Sequence, residues 1–309
     1  MISPDRFADS AYCAPFPPNN DRWPPGNRRT AHTPLAPCTR ALLYIIGKST
    51  LFFNQNNILN LQVRRLFYIV TGKLKTPKGR KNIRAVLFDI DGTLVRFNGA
   101  GKRALKKAAI EVYGTAGMMD AVHFQGKTDP LIIYESLEPV GINRETIDRK
   151  MGRLKESHFF HLDHQIKGAE AELLPGVREL LDLLKNSPAV ITGLLTGNFH
   201  GGALRKLNVF GLMDYFAFGV FSDDTPHRDE MPPIARERIM ELYSMEIDFV
   251  DMFIIGDTVY DIRCGKNSGA VTIAVGTGWT DPQALLNEEP DYYFDDLSDT
   301  EMMAEILLG

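Results

Sequence analysis

An uninterrupted apolar run, Ala85-Val86-Leu87-Phe88, stops abruptly at Asp89-Ile90-Asp91-Gly92-Thr93-Leu94. Such a run reads as a strand buried on both faces, which is the condition of a parallel sheet covered by helices. Further apolar runs at 190–195, 215–220, 252–255, 271–275 and 292–294 alternate with helical patterns at 177–184, 201–207 and 234–242. That alternation predicts an α/β fold built on a doubly wound parallel sheet. Sheets of this kind bind ligands at the carboxyl ends of their strands, so Asp89 and Asp91 are expected to point into a crevice. There Asp89 can attack a substrate and Asp91 can move a proton.

Between the first strand and Pro175 the strand signal disappears. Patterns at 102–113, 130–137 and 145–160 read instead as amphipathic helices. They predict an α-helical cap over 99–173, inserted into a core made of 81–98 and 174–309. Asn98-Gly99-Ala100-Gly101 and Leu174-Pro175-Gly176 are the expected hinges, because glycine absorbs dihedral change at little cost.

Charge divides the chain differently. Residues 1–84 carry 14 Lys and Arg against 3 Asp and Glu, and the remainder carries 21 against 36, so a +11 segment precedes a −15 body. The Pro-rich pieces Phe16-Pro17-Pro18 and Trp23-Pro24-Pro25-Gly26 lack periodicity, and residues 1–80 read as a disordered extension or as sequence upstream of the true start. A basic arm from Arg64 to Lys81 that touches an anionic surface is the rival reading, with a short helix at 58–70. The acidic body repels polyanions, so no nucleic-acid partner is expected. Cys13, Cys38 and Cys264 are too few for a disulfide framework or a zinc cluster, which suits a reducing compartment, and Cys264 reads as a small core residue. No run approaches the ~18 apolar residues of a membrane span, and no secretory signal is read. The expected location is cytoplasmic, and the oligomeric state is left open.

Three later segments can complete a site at the strand ends. In Gly193-Leu194-Leu195-Thr196-Gly197-Asn198, Thr196 can hold an anion with its hydroxyl, Gly197 permits close backbone approach, and a helix begun near His200 aims amides at the same point. The Thr-Gly-Asn sequence serves an ordinary turn equally well. Met252-Phe253-Ile254-Ile255-Gly256-Asp257-Thr258-Val259-Tyr260-Asp261 ends another apolar run with two carboxylates. Carboxylates suit magnesium, a hard octahedral ion, although Asp257 can also serve as a helix N-cap. Arg228, in His227-Arg228-Asp229-Glu230, either brings positive charge to the site or pairs with Glu230 at the surface. In Phe124-Gln125-Gly126-Lys127-Thr128-Asp129-Pro130, Lys127 can meet an anionic group of a substrate, or Thr128 and Asp129 only cap the next helix.

The Asp89-to-Leu94 string resembles the nucleophile motif of the haloacid dehalogenase superfamily, in its helical-cap form. The Gly126-to-Asp129 loop is similar to that of its phosphoglycolate-phosphatase-like members. The resemblance covers 82–309 and implies a magnesium-dependent phosphatase for a small phosphorylated metabolite, acting through an aspartyl-phosphate on Asp89 with Asp91 as the acid-base group. It also implies that Asp89, Asp257 and the backbone carbonyl of Asp91 ligate the Mg2+ ion while Asp261 holds a metal-bound water. Thr196, Gly197, Asn198, Arg228 and Lys127 are the implied substrate-binding residues. The chain departs from the family at the third motif: residues 222–240 contain no lysine, and Arg228 stands where most members carry one. Asp91 argues against a dehalogenase or a phosphonatase. A phosphomutase of the β-phosphoglucomutase type and a non-catalytic phosphate-binding protein stay as alternatives.

Overall fold

A computed structural model describes residues 83–167 and 170–309. The extension expected at 1–80, the helix at 58–70, Cys13 and Cys38 lie outside the described residues. The elements run β1 (Arg84–Phe88), β2 (Val95–Arg96), α1 (Ala100–Tyr113), α2 (Asp129–Leu137), α3 (Arg144–Lys167), β3 (Glu172–Leu173), α4 (Val177–Lys185) and β4 (Val190–Leu195). They continue with α5 (His200–Val209), β5 (Phe218–Val220), α6 (Met231–Tyr243), β6 (Met252–Gly256), α7 (Val259–Ser268), β7 (Val271–Val275), α8 (Pro282–Asn287), β8 (Tyr292–Phe294) and α9 (Thr300–Leu308).

Six strands form one sheet in the order β5-β4-β1-β6-β7-β8, with every neighbouring pair parallel. The pleat sends alternate residues of β1 to opposite faces. Val86 and Phe88 enter a core with Leu180, Leu184, Leu207 and Met303, whereas Ala85 and Leu87 enter another with Ala235, Ile239 and Cys264. Both faces of the central strand are therefore sealed, which is why its sequence is a continuous apolar run rather than an alternating one. α4 shows the complementary pattern: Val177, Leu180, Leu181 and Leu184 are buried at helical spacing. Each of these leucines contributes roughly 1.5–3 kcal/mol by leaving water.

The stretch expected as a strand at 215–220 is one only over Phe218–Val220, and Met213–Tyr215 is a helical turn. The Tyr215 backbone carbonyl is taken by the Thr192 hydroxyl and its phenol donates to Asp182, so the polar groups of that residue are committed before the strand begins. α3 also runs past the expected end at 160, to Lys167. Neither β2 nor β3 carries periodicity, being two residues each, and they pair antiparallel as the two chain crossings into and out of a helical insert.

That insert, α1 to α3, has its own core of Leu105, Met119, Ile133, Leu137, Ile147 and Leu154, joined by Phe199 from the start of α5. At its entrance Asn98 and Gly99 take left-handed backbone, with φ of 42° and 77°, but Ala100 and Gly101 belong to α1 rather than to a linker. At its exit Gly176 has φ 74°, and any Cβ there would strike the backbone of Leu297 and Ser298. That glycine is required by packing. Among the described residues no helix is long and apolar enough to cross a membrane.

Candidate active site

The carboxyl ends of β1, β4 and β6 lie side by side in the sheet and deliver Asp89, Thr196 and Asp257 to one place. Backbone pairing continues past β1: the Asp89 amide donates to the Ile255 carbonyl at 3.0 Å. The chain then turns at Gly92, whose φ is 88°. A side chain at Gly92 would also run into the Asp257 carboxylate, and so would one at Gly278. Two glycines thus let that carboxylate pack directly against the backbone.

Carboxylate oxygens of Asp89, Asp257 and Asp261 lie within 4.8 Å of one another, and all three residues are buried. Arg228, in a helical turn just before α6, is 7% exposed and reaches Asp89 at 3.2 Å and Asp261 more closely. It also donates to the carbonyls of Gly126 at 3.1 Å and Leu195 at 3.4 Å. Glu230, the expected surface alternative, is taken by the Thr225 hydroxyl instead. Three carboxylates against one guanidinium leave a formal −2. Burial accordingly pushes the Asp89 carboxyl up to about 6 although Arg228 pulls the other way, and burial holds Asp257 well above the carboxylate range.

Asp257 Oδ1 accepts from the Thr93 hydroxyl at 3.1 Å, and its Oδ2 is buried with no partner. It does not cap α7. Thr258 does that, with Asp261 returning the bond to the Thr258 amide at 3.1 Å and hydroxyl at 2.6 Å, a reciprocal capping box. Both oxygens of Asp261 are therefore engaged, one by the cap and one by Arg228. The orphan oxygen of Asp257, in a cluster of buried carboxylates, fits a cation held by Asp89 and Asp257.

Asp91 stands apart from the trio. Its Oδ2 accepts from Lys206 Nζ at 2.5 Å and from Asn198 Nδ2 at 2.8 Å, and Lys206 also donates to Asn198 Oδ1 at 2.6 Å. Asn198 Nδ2 donates in turn to the Thr196 hydroxyl at 2.8 Å. Lys206, on α5 and 4% exposed, was not singled out from the sequence. A signal was present, because Gly202, Ala203, Lys206 and Leu207 share the buried stripe of that helix. A lysine in such a register needs a partner, since a lone buried charge is very costly.

The loop leading into α2 lies against these strand ends. The Asp129 amide donates to the Gly197 carbonyl at 2.8 Å, the Asp129 carboxylate accepts from the Phe199 amide at 2.7 Å, and the Thr128 hydroxyl donates to the Pro226 carbonyl at 2.7 Å. Thr128 also caps α2 through the Leu131 amide. Lys127 is in an ion pair with Glu135 at 2.5 Å. Under the insert lies a cavity of about 480 Å³, reaching from Asp89, Asp91 and Asp257 to Phe124, Asp129 and His158.

The sequence pattern of haloacid dehalogenase-like hydrolases matches residues 83–269. The chain belongs to this family. By that family it is a hydrolase. The pyrophosphatase PpaX of Bacillus velezensis is 30% identical over 223 residues, spanning 71% of this chain and 95% of the relative. The phosphoglycolate phosphatase of Vibrio vulnificus is 26% identical over 226 residues, spanning 71% and 95%. A hydrolase from Pseudomonas syringae shares the fold with a TM-score of 0.54 at 22% identity, covering 72% of this chain and 99% of that one.

Proposed function

We propose that the chain is a magnesium-dependent phosphatase that hydrolyses a small phosphate monoester through an aspartyl-phosphate on Asp89. Residues 81–98 and 174–309 form its core, and 99–173 act as a cap over the site. The observation that carries this reading is the buried −2 balance of Asp89, Asp257 and Asp261 around Arg228, with one Asp257 oxygen left without a partner. Asp89 and Asp257 would hold the ion with the Asp91 backbone carbonyl, and Asp261, whose oxygens are engaged, would act through a water. When bound, magnesium neutralises charge on the phosphoryl oxygens.

Asp89 attacks phosphorus, and the bond from phosphorus to the ester oxygen breaks. Asp91 gives its proton to the departing oxygen, so a neutral alcohol leaves. Water then attacks the aspartyl-phosphate, Asp91 takes back a proton, and the bond between phosphorus and Asp89 breaks to release phosphate. Splitting one displacement into two lowers each barrier. Lys206 and Asn198 fix the Asp91 carboxylate for both transfers. Thr196, Gly197 and Asn198 receive the phosphoryl oxygens, and Arg228 balances the nucleophile.

Release of inorganic phosphate from p-nitrophenyl phosphate, with magnesium and with a chelator, tests the reading. Turnover is expected only with the metal, and acid-quenched protein should carry one alkali-labile phosphate that Asp89→Asn lacks. Turnover unchanged by chelation would remove the metal from the mechanism, and conversion of a sugar phosphate to its isomer without release would favour a mutase.

A further inference from the structure

The cavity is several times larger than a phosphoryl group needs, and 480 Å³ falls within the range of sites that enclose whole small molecules. Its far end therefore says what leaves. The cations that line it are nearly all committed. Arg228 is held by Asp89 and Asp261, Lys206 by Asp91, and Lys127 by Glu135. Lys102, at the rim, lies over the Phe124 ring at 4.8 Å.

The acceptors at that end are not matched in the same way. The Asp129 carboxylate faces the cavity, accepts one bond from the Phe199 amide, and forms no ion pair among the described residues. His158, from α3, is 4% exposed and lines the cavity, and its Nδ1 is buried with no hydrogen-bond partner. A buried polar atom left in that state is expensive unless a ligand or water completes it. Burial and the charges of Lys206 and Arg205 push His158 down to about 3, so the ring is neutral and offers one donor and one acceptor. Gln125 adds an amide at the open side.

We propose that His158, Asp129 and Gln125 form a subsite for a neutral, hydroxyl-bearing leaving group, so that the substrates are phosphate esters of polyols or sugars. A leaving group carrying its own anion, as in phosphoglycolate or pyrophosphate, meets the Asp129 carboxylate, and of the lysines and arginine that line the cavity only Lys102, over the Phe124 ring, is not held by a carboxylate. Hydroxyls satisfy all three groups: they donate to Asp129 and accept from or donate to His158 and Gln125. This inference rests on the phosphatase reading of the same site.

Phosphate release from glycerol phosphate, glucose phosphate, phosphoglycolate, pyrophosphate and p-nitrophenyl phosphate tests it. At least one polyol or sugar ester should exceed phosphoglycolate and pyrophosphate in kcat/KM by about tenfold or more, the scale of discrimination that paired polar groups readily supply. His158→Phe should erode that advantage, lowering kcat/KM several-fold more for the polyol or sugar ester than for p-nitrophenyl phosphate, which has no hydroxyls. Asp129→Asn keeps the shape and removes the charge, so the ratio of phosphoglycolate to glycerol phosphate activity should rise several-fold even if the His158 variant does not fold. Preference for phosphoglycolate or pyrophosphate in the parent, abolished by Lys102→Ala, would overturn the proposal. So would equal losses on every ester in His158→Phe, or an unmoved ratio in Asp129→Asn. Thermal shifts of the Asp89→Asn protein, which binds without turnover, separate the two readings. A larger shift with glucose phosphate than with phosphoglycolate upholds the subsite even if the parent hydrolyses nothing, and the reverse order sinks it even if the parent is an active phosphatase.

Discussion

The two ends of the cavity solve opposite electrostatic problems. At the strand ends, three buried carboxylates share one guanidinium, and the excess negative charge is concentrated where a cation and a phosphoryl group fit. At the helical end Lys127 and Lys206 are already paired, and a neutral imidazole and a single carboxylate are left over. One end is built from charge it has not balanced, the other from hydrogen bonds it has not completed. Rate should therefore depend on the first and choice of substrate on the second.

The sharpest way to break this division is at Asp89. Asp89→Asn should lower kcat by about 10⁴-fold or more, the scale of removing a covalent nucleophile. The readouts are phosphate release and trapped phosphoenzyme. Asp91→Asn should cost about 10²- to 10⁴-fold, as for a positioned acid-base group, and should let the phosphoenzyme accumulate. If either variant changed substrate preference more than rate, the two ends would not be separable.

Metal binding sharpens the comparison through stability. Asp89 and Asp257 have folded pKa values above the unfolded carboxylate value of about 3.9. A raised value means that their contribution to stability is present below about pH 4 and is lost as the pH rises through about 6. Magnesium should offset that loss, so saturating Mg2+ should raise Tm more at about pH 7.5 than at about pH 5. An ion at about 100 times its Kd supplies about 2.7 kcal/mol, and at about 2–4 °C per kcal/mol the shift should be about 5–10 °C. Equal shifts at both pH values would show that these carboxylates do not bind the ion.

The smallest expected effect has the opposite sign. His158 has a folded pKa below its unfolded value of about 6.5, so its contribution is present above that pH and is lost as the pH falls toward about 3. Metal-free His158→Phe protein should therefore lose less stability than the parent between about pH 6.5 and 4. The difference cannot exceed about 1.4 kcal/mol per pH unit. Denaturant melts across that range measure it.

How legible each end was in the sequence follows the same line. Asp89, Asp257 and Thr196 announce themselves because each interrupts an apolar strand, and a polar residue there has few structural reasons to exist. The absence of lysine from 222–240 left Arg228 as the available cation, and the structure sets it against Asp89. Lys206 and His158 sit inside α5 and α3, where a charged or polar residue every few positions is the normal pattern of an amphipathic helix. Only their place on the buried stripe distinguishes them, and that stripe is fixed by contacts distant in sequence. The sheet was readable for the same reason as the strand-end site. β2 and β3 were not, because two residues carry no period.

The seam between the loop at 124–129 and the strand ends is made by glycines. A Cβ on Gly126 would collide with Thr258 and Tyr260, and one on Gly197 would collide with the backbone of Lys127 and Thr128. Neither position has side chains to vary, so mutation there can only pry the two surfaces apart. A lineage of such enzymes that acquires new substrates has to do so elsewhere, at positions such as Lys102 and His158 that line the cavity without holding the seam shut. The join is a fixed frame, and the variable text of the molecule is written on the wall it encloses.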